Sequence, residues 1–241
     1  MLAIAPEVWF LIVGLRNVID NHYGLSHGLS KVVSIEKKHD VRSTFFVRVD
    51  VIHSQRDCRV LKEIADGDWE VGLHLINTVN DSRMMSSVDE LERLKNLLGI
   101  EIHGVTPCGS TIGFKGEVTW KTMDSLGMKY MEGYGKPNFE TRTFVFPTHL
   151  SLDIRYVREF GEREGYRRFK EELQRMRDQN KVATVLVHPE WFVRSVQGSS
   201  MMKIPLTLLG KGLMNKVYDK FLQECKTKVE FMKYIDILRT M

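Results

Sequence analysis

Residues 182–188 read Val-Ala-Thr-Val-Leu-Val-His: an uninterrupted apolar, β-branched run that ends on an imidazole. A run this short, closed by His-Pro-Glu, predicts a strand buried on both faces, as in a parallel sheet. The same arrangement recurs along the chain. Val8–Leu15 leads to Asp20, Ser43–Val49 to Asp50, Trp69–Leu73 to His74, Ile102–Thr106 to Cys108, and Thr143–Phe146 to His149. Met128–Met131 is a further short run.

Helical patterns separate these runs. Leu25–Lys38 places apolar residues at 25, 29, 32, 33 and 35, the spacing of an amphipathic helix. Cys58–Ala65 reads as a helix stopped by Gly67, and Glu117–Leu126 as one closed by Gly127. Ser87-x-x-Glu90 has the form of a capping box ahead of a helix that Gly99 ends. Glu162–Gln179 and Gly212–Cys225 are the remaining helical stretches, and Val229–Leu238 reads as a final strand and turn. About seven strands alternating with helices define an α/β protein with a mostly parallel sheet, closed or open. In that class the carboxyl ends of the strands share one rim, and sites form there. Each rim residue also has a structural reading. An Asp after a strand caps or turns the chain, a single His is more often a hydrogen-bonded structural residue, and Cys108 fits as a small buried hydrophobe.

The chain has 241 residues, 43% of them apolar, enough for one sizeable core. No linker, repeat or low-complexity stretch divides it, so residues 1–241 form one domain. The net charge of +4 is dispersed, with no basic block of the kind that binds nucleic acid. Three cysteines, far apart and without a C-x-x-C pair, argue against a disulfide framework or zinc knuckle, and favour reduced thiols in a cytoplasm. Val8–Val13 is too short to span a bilayer and lacks the flanks of a signal peptide. Met201–Phe221 mixes Met, Ile and Leu with Lys203, Lys211, Lys216 and Lys220. It reads as a barrel-covering segment or as peripheral membrane contact.

Five stretches carry a family likeness. GLRNVIDN at 14–21, STFFV from 43, WEVGLH ending at His74, GVTPCG from 104 and LVHPEW from 186 resemble, in order, motifs of the polysaccharide-deacetylase (NodB-homology) superfamily. The likeness covers roughly residues 8–192, leaving 193–241 as a C-terminal helix and closing elements. It implies a distorted (β/α)7-type barrel and hydrolysis of an N-acyl group, acetyl or formyl, from an amino sugar or lipid-linked sugar. One divalent metal, zinc by preference, is implied in many members, held by an Asp and two His. Residue by residue, Asp20 and His74 match metal ligands, and His188 matches the general acid.

Three positions depart from the pattern. Val18 stands where the resemblance implies the base, Thr78 where it implies the second ligand His, and Cys108 where the third motif carries a His. A replacement base is expected from Asp50, His149 or Glu190. Thr78, Asn77 or Asp81 would complete the metal set with an oxygen. Cys108, Trp191 and Tyr23, with Tyr134, are expected to meet substrate. Two alternatives stay open: an impaired relative that binds glycan in the old cleft without a metal, and a metal-independent amide hydrolase using His188 and His149.

Overall fold

The computed structural model describes residues 11–109, 113–179, 182–194 and 212–241. The expectations for Val8–Phe10, and for the proposed membrane-contact stretch from Met201 to Lys211, lie outside these residues. Among the described residues, nine strands form one sheet: β1 (Leu11–Ile19), β2 (Thr44–Val47), β3 (Glu70–Leu75), β4 (Gly104–Pro107), β5 (Tyr130–Gly133), β6 (Phe144–Pro147), β7 (Leu150–Ser151), β8 (Val182–Val187) and β9 (Val229–Met232). Every pairing is parallel. The order is β6-β5-β4-β3-β2-β1-β8-β7, with β9 on β1. β2 takes the carboxyl half of one β1 edge, through Arg16–Ile19, and β9 takes the amino half, through Leu11–Gly14.

Chain connectivity curls this sheet. β6 and β7 end the strand path on opposite sides, yet only Thr148 and His149 separate them in sequence. Flat, the two edges would stand roughly 34 Å apart at the usual strand spacing, and the chain from Pro147 to Leu150 reaches only about 11 Å. Side chains meet across the resulting lumen. Arg16 of β1 pairs at 2.7 Å with Glu132 of β5, three strands beyond its β2 neighbour. It also donates to Thr106 at 2.5 Å and Thr148 at 3.1 Å. Both hydroxyls in turn donate to Glu132. The barrel architecture expected from the resemblance is present, with eight strands along the path.

Residue alternation builds two cores. Outward side chains, among them Val13, Leu15, Phe45, Val47, Leu73 and Val185, pack beneath the helices. Inward ones, Val18, Phe46, Tyr130, Phe146 and Leu186, fill the lumen with Tyr234 and Ile237. The last two belong to a short helix, Tyr234–Thr240, where the sequence pattern suggested a turn. That helix plugs the amino end of the barrel. Its first amides donate to Thr44 Oγ1 at 3.0 Å and Glu70 Oε2 at 3.1 Å. Gly104 is required by this packing, since a Cβ there would overlap the Tyr130 ring.

Among the described residues, seven α-helices accompany the sheet: α1 (Leu29–His39), α2 (Gln55–Asp66), α3 (Ser87–Leu98), α4 (Glu117–Ser125), α5 (Glu159–Gln179), α6 (Leu213–Cys225) and α7, the plug. The cap of α3 differs from the expected one. Ser86 accepts from the Asp89 amide at 3.1 Å, whereas Glu90 turns away to the amides of Ile76 and Asn77. A full capping box occurs instead at Ser54–Asp57 of α2. On α6, Met214, Val217, Tyr218, Phe221 and Leu222 face the core, so its apolar side is already covered.

The helical layer is fastened through one buried carboxylate. Glu36 of α1 accepts from Tyr218 at 2.6 Å, Trp69 at 2.6 Å, Ser43 at 2.8 Å and Asn17 at 3.3 Å. These donors come from α6, the approach to β3, the approach to β2, and β1. Burial pushes the carboxyl pKa up, and the four donors pull it down. Four donors match the four lone-pair sites of a carboxylate, an acceptor-only group. Glu36→Gln puts an amide N–H among those donors and is expected to cost about 1–3 kcal/mol, read as a lower urea midpoint with unchanged far-ultraviolet dichroism.

Candidate active site

The carboxyl rim gathers residues from four strand ends. Asp20 follows β1, a third of its side chain exposed. His74 lies inside β3, one residue before its end, rather than after a strand as the apolar pattern suggested. Its neighbours Leu73 and Leu75 face the outer core, so the imidazole is left to the lumen side. Cys108 follows β4, its amide donating to Leu75 O at 2.8 Å and continuing the ladder by one residue. His188 follows β8.

These side chains converge on Asp20. His74 Nδ1 lies 3.3 Å from Asp20 Oδ1, and His188 Nε2 lies 3.5 Å from Asp20 Oδ2. One donor atom each from Asp20, His74 and Cys108 falls within a 4.8 Å cluster. His74 is buried, and neither ring nitrogen has a hydrogen-bond partner. A buried imidazole without hydrogen bonds is costly; a metal ion beside it removes that cost, so the donor set fits one. Burial, reinforced by Arg16, Arg48 and His188, holds the His74 pKa well below its usual value, which is the neutral state a ligand needs.

His188 has a different environment. Its Nδ1 lies 2.8 Å from Asp153 Oδ2, and its backbone amide donates to the same oxygen at 2.5 Å. Asp153 is fully buried, and its Oδ1 accepts from the Ile154 amide at 2.7 Å. Burial opposes charge on His188, but the attraction and hydrogen bond of Asp153, with Glu190 and Asp20, outweigh it and raise the pKa to about 9. The carboxylate fixes the ring and leaves Nε2 as the edge that faces Asp20. Sequence reading missed Asp153. It follows the two-residue β7, in Leu-Ser-Leu-Asp at 150–153, a strand-then-Asp signal too short to read as a strand.

Glu190 is also at this end. It is buried, and its Oε2 has no hydrogen-bond partner. Burial raises its pKa to about 7, with His188 opposing the rise and Asp20 adding to it. The turn that carries it packs against the segment Gly24–Gly28, which precedes α1. A Cβ on Gly24 would lie 3.3 Å from Glu190 Oε2, and one on Gly28 would overlap the Pro189 carbonyl. Glycine at 28 is thus what lets the His-Pro-Glu turn sit this low on the rim.

Other expected site residues are engaged elsewhere. Asp50 is clamped by Arg48, which donates to it at 2.9 and 2.6 Å. His149 Nδ1 accepts from the Thr184 amide at 3.1 Å, so the ring stitches the β6–β7 link to β8. Arg48 thus holds both carboxylate oxygens of Asp50, and Thr184 engages one ring nitrogen of His149. Thr78 Oγ1 donates to Gly113 O at 2.8 Å. Asn77 braces the loop after β3 through Asp81 and Met85 carbonyls, and Asp81 pairs with Arg83. Val18 is buried against lumen side chains, with no acid or base function.

Aromatic residues mark the mouth. Tyr134 is nearly half exposed and meets Phe114 edge-on, ring centres 6.0 Å apart. Its phenol pKa is raised chiefly by burial, with Arg16 opposing the rise and Glu132, Asp20 and Asp153 adding to it. Tyr23 stacks on His27 at 4.8 Å and lies under the Arg194 guanidinium at 4.9 Å. Trp191 packs its ring partly against the outer core.

No protein-family model matches this chain, and no curated protein matches it. Solved structures match it in fold. Puue allantoinase superposes with a TM-score of 0.66 at 14% identity, over 98% of this chain and 91% of that one. The Xyl-CE4 domain of a xylanase from the hindgut metagenome of Trinervitermes trinervoides gives 0.60 at 11% identity, over 96% and 91%. A CE4-family pseudoenzyme from Bacillus anthracis gives 0.55 at 17% identity, over 97% of this chain and 66% of that one. A mutant of that pseudoenzyme has restored enzymatic activity. The barrel described above is therefore the fold of the CE4 deacetylases.

Proposed function

We propose that the protein is a metal-assisted amide hydrolase that removes an N-acyl group from an amino sugar, free or lipid-linked. The observation that carries this reading is the Asp153–His188 pair, 2.8 Å apart, with the far ring nitrogen 3.5 Å from Asp20. A buried carboxylate behind an imidazole keeps it protonated and aimed, the arrangement of a general acid. The fold shared with a xylanase CE4 domain and with a peptidoglycan deacetylase supports a carbohydrate amide as substrate.

When bound at Asp20 and His74, a divalent ion supplies Lewis-acid polarisation of the acyl carbonyl. The chain's own groups do the proton work. Glu190 takes one proton from the attacking water as its oxygen bonds to the acyl carbon. His188 Nε2 gives a proton to the nitrogen as the C–N bond breaks, leaving a free amine and a carboxylic acid. A carboxyl with a pKa of about 7 is suited to the first role at neutral pH. Tyr134 and Phe114 offer a ring face to the sugar.

A second reading rests on Val18. With an apolar side chain at the expected base position, the cleft would bind an N-acylated glycan and leave it intact.

Acetate release from N-acetylated chitooligosaccharides and peptidoglycan separates the two. Under the hydrolase reading, His188→Ala and Glu190→Gln each lower release by about 10²–10⁴-fold, with substrate affinity retained. Release that survives His188→Ala unchanged rules the assignment out. Under the binding reading, the natural protein retains the oligosaccharide without releasing acetate. Val18→Asp, which places a carboxylate where the resemblance implies the base, is then expected to introduce turnover measurable by the same assay.

A further inference from the structure

We propose that Cys108 is a metal ligand, so that the rim holds a mixed carboxylate–imidazole–thiolate centre formed by Asp20, His74 and Cys108. This deepens the functional reading above by assigning the third ligand and the class of metal, and it stands on separate observations. Donor atoms of the three residues lie within 4.8 Å of one another. His74 lies within β3, and Asp20 and Cys108 are the first residues after β1 and β4. Cys108 is fixed by its amide bond to Leu75 O on the strand that carries His74.

The independent sign of a ligand is His74. Its side chain is 2% exposed, and both ring nitrogens lack a hydrogen-bond partner. Asp20, a third exposed, keeps one side of the cluster open to solvent. Three protein ligands and one open position is the arrangement of a catalytic rather than a structural zinc site.

Arg48 Nη1 approaches Cys108 Sγ at 3.9 Å, and Asp50 holds that guanidinium through two hydrogen bonds, so it opposes an incoming cation less. With the sulfur bound as thiolate, Asp20 and Cys108 together balance a divalent ion. The soft sulfur selects zinc, cobalt or cadmium over magnesium, calcium or manganese. The expected imidazole four residues after His74 is thereby replaced from the next strand. Thr78, at that position, gives its hydroxyl proton to Gly113 O. Cys108, expected to touch substrate, becomes a ligand instead.

Cobalt(II) titration of the metal-stripped full chain tests this directly. Stoichiometric binding should produce visible bands of tetrahedral intensity and a near-ultraviolet thiolate-to-cobalt charge-transfer band. Cys108→Ser should abolish the charge-transfer band and weaken zinc affinity by at least about tenfold, since even outer-shell losses cost about 10–100-fold. The double variant Cys58→Ser, Cys225→Ser should keep the band. Cobalt bound by the natural protein without a charge-transfer band overturns the proposal whatever the variants do, as does a band that persists in correctly folded Cys108→Ser. A thiolate band without acetate release refutes the hydrolase reading and leaves this one standing. Acetate release without the band does the reverse.

Discussion

Closure of the sheet is the constraint on which the site depends. Two residues, Thr148 and His149, join strands that lie at opposite ends of an eight-strand path, and the sheet curls to bring them together. Arg16 and Glu132 then pair inside the lumen, bridged by Thr106 and Thr148. Burying such a pair costs several kcal/mol per ion unless good geometry and further hydrogen bonds repay it. Here both threonines accept from the arginine and donate to the glutamate, and Arg16 in turn presses the His74 pKa down. The contacts that span the curled sheet thus add to burial in keeping the rim imidazole neutral.

Two histidines on one rim reach opposite states because their surroundings differ. Both are buried. His74 faces Arg16 and Arg48 and has no buried carboxylate bonded behind its ring. His188 has Asp153 at 2.8 Å. Burial holds the first neutral, and Asp153 keeps the second protonated. Both states hold together at neutral pH, which a site combining Lewis-acid and general-acid chemistry requires.

The strand-and-rim pattern was legible because a buried parallel strand writes itself as a continuous apolar run, and Val182–Val187 coincides with β8 residue for residue. What stayed hidden depended on choices among equivalent local signals. Ser86-x-x-Asp89 and Ser87-x-x-Glu90 overlap, offset by one residue. The first caps α3 because Glu90 is drawn to two amides of the loop after β3. Asp153 sits 35 positions from His188, and no local pattern joins them. Asp50 and His149 occupy the expected places after strands, but Arg48 and Thr184 claim their polar atoms. Position along the chain located the rim. Which polar partner each rim residue holds, whether a neighbour two residues away as for Asp50 or a strand 35 residues on as for His149, is not written in the apolar pattern.

The proposed roles of Glu190 and Cys108 account for the three departures from the resemblance together. Val18 lies in the apolar lumen beside Phe46 and Leu186. Glu190, on the turn after β8, has its burden of burial shared with the charge of His188. Cys108 reaches from the end of β4 the cluster that holds Asp20 and His74, whereas Thr78 bonds to Gly113 O. Under the proposed roles, each function would leave its expected position and reappear on a neighbouring element at the same end of the sheet. A rim built from parallel strands allows this, because side chains from adjacent strand ends converge on shared space, and the chemistry requires the donor atoms there, not the strand that brings them.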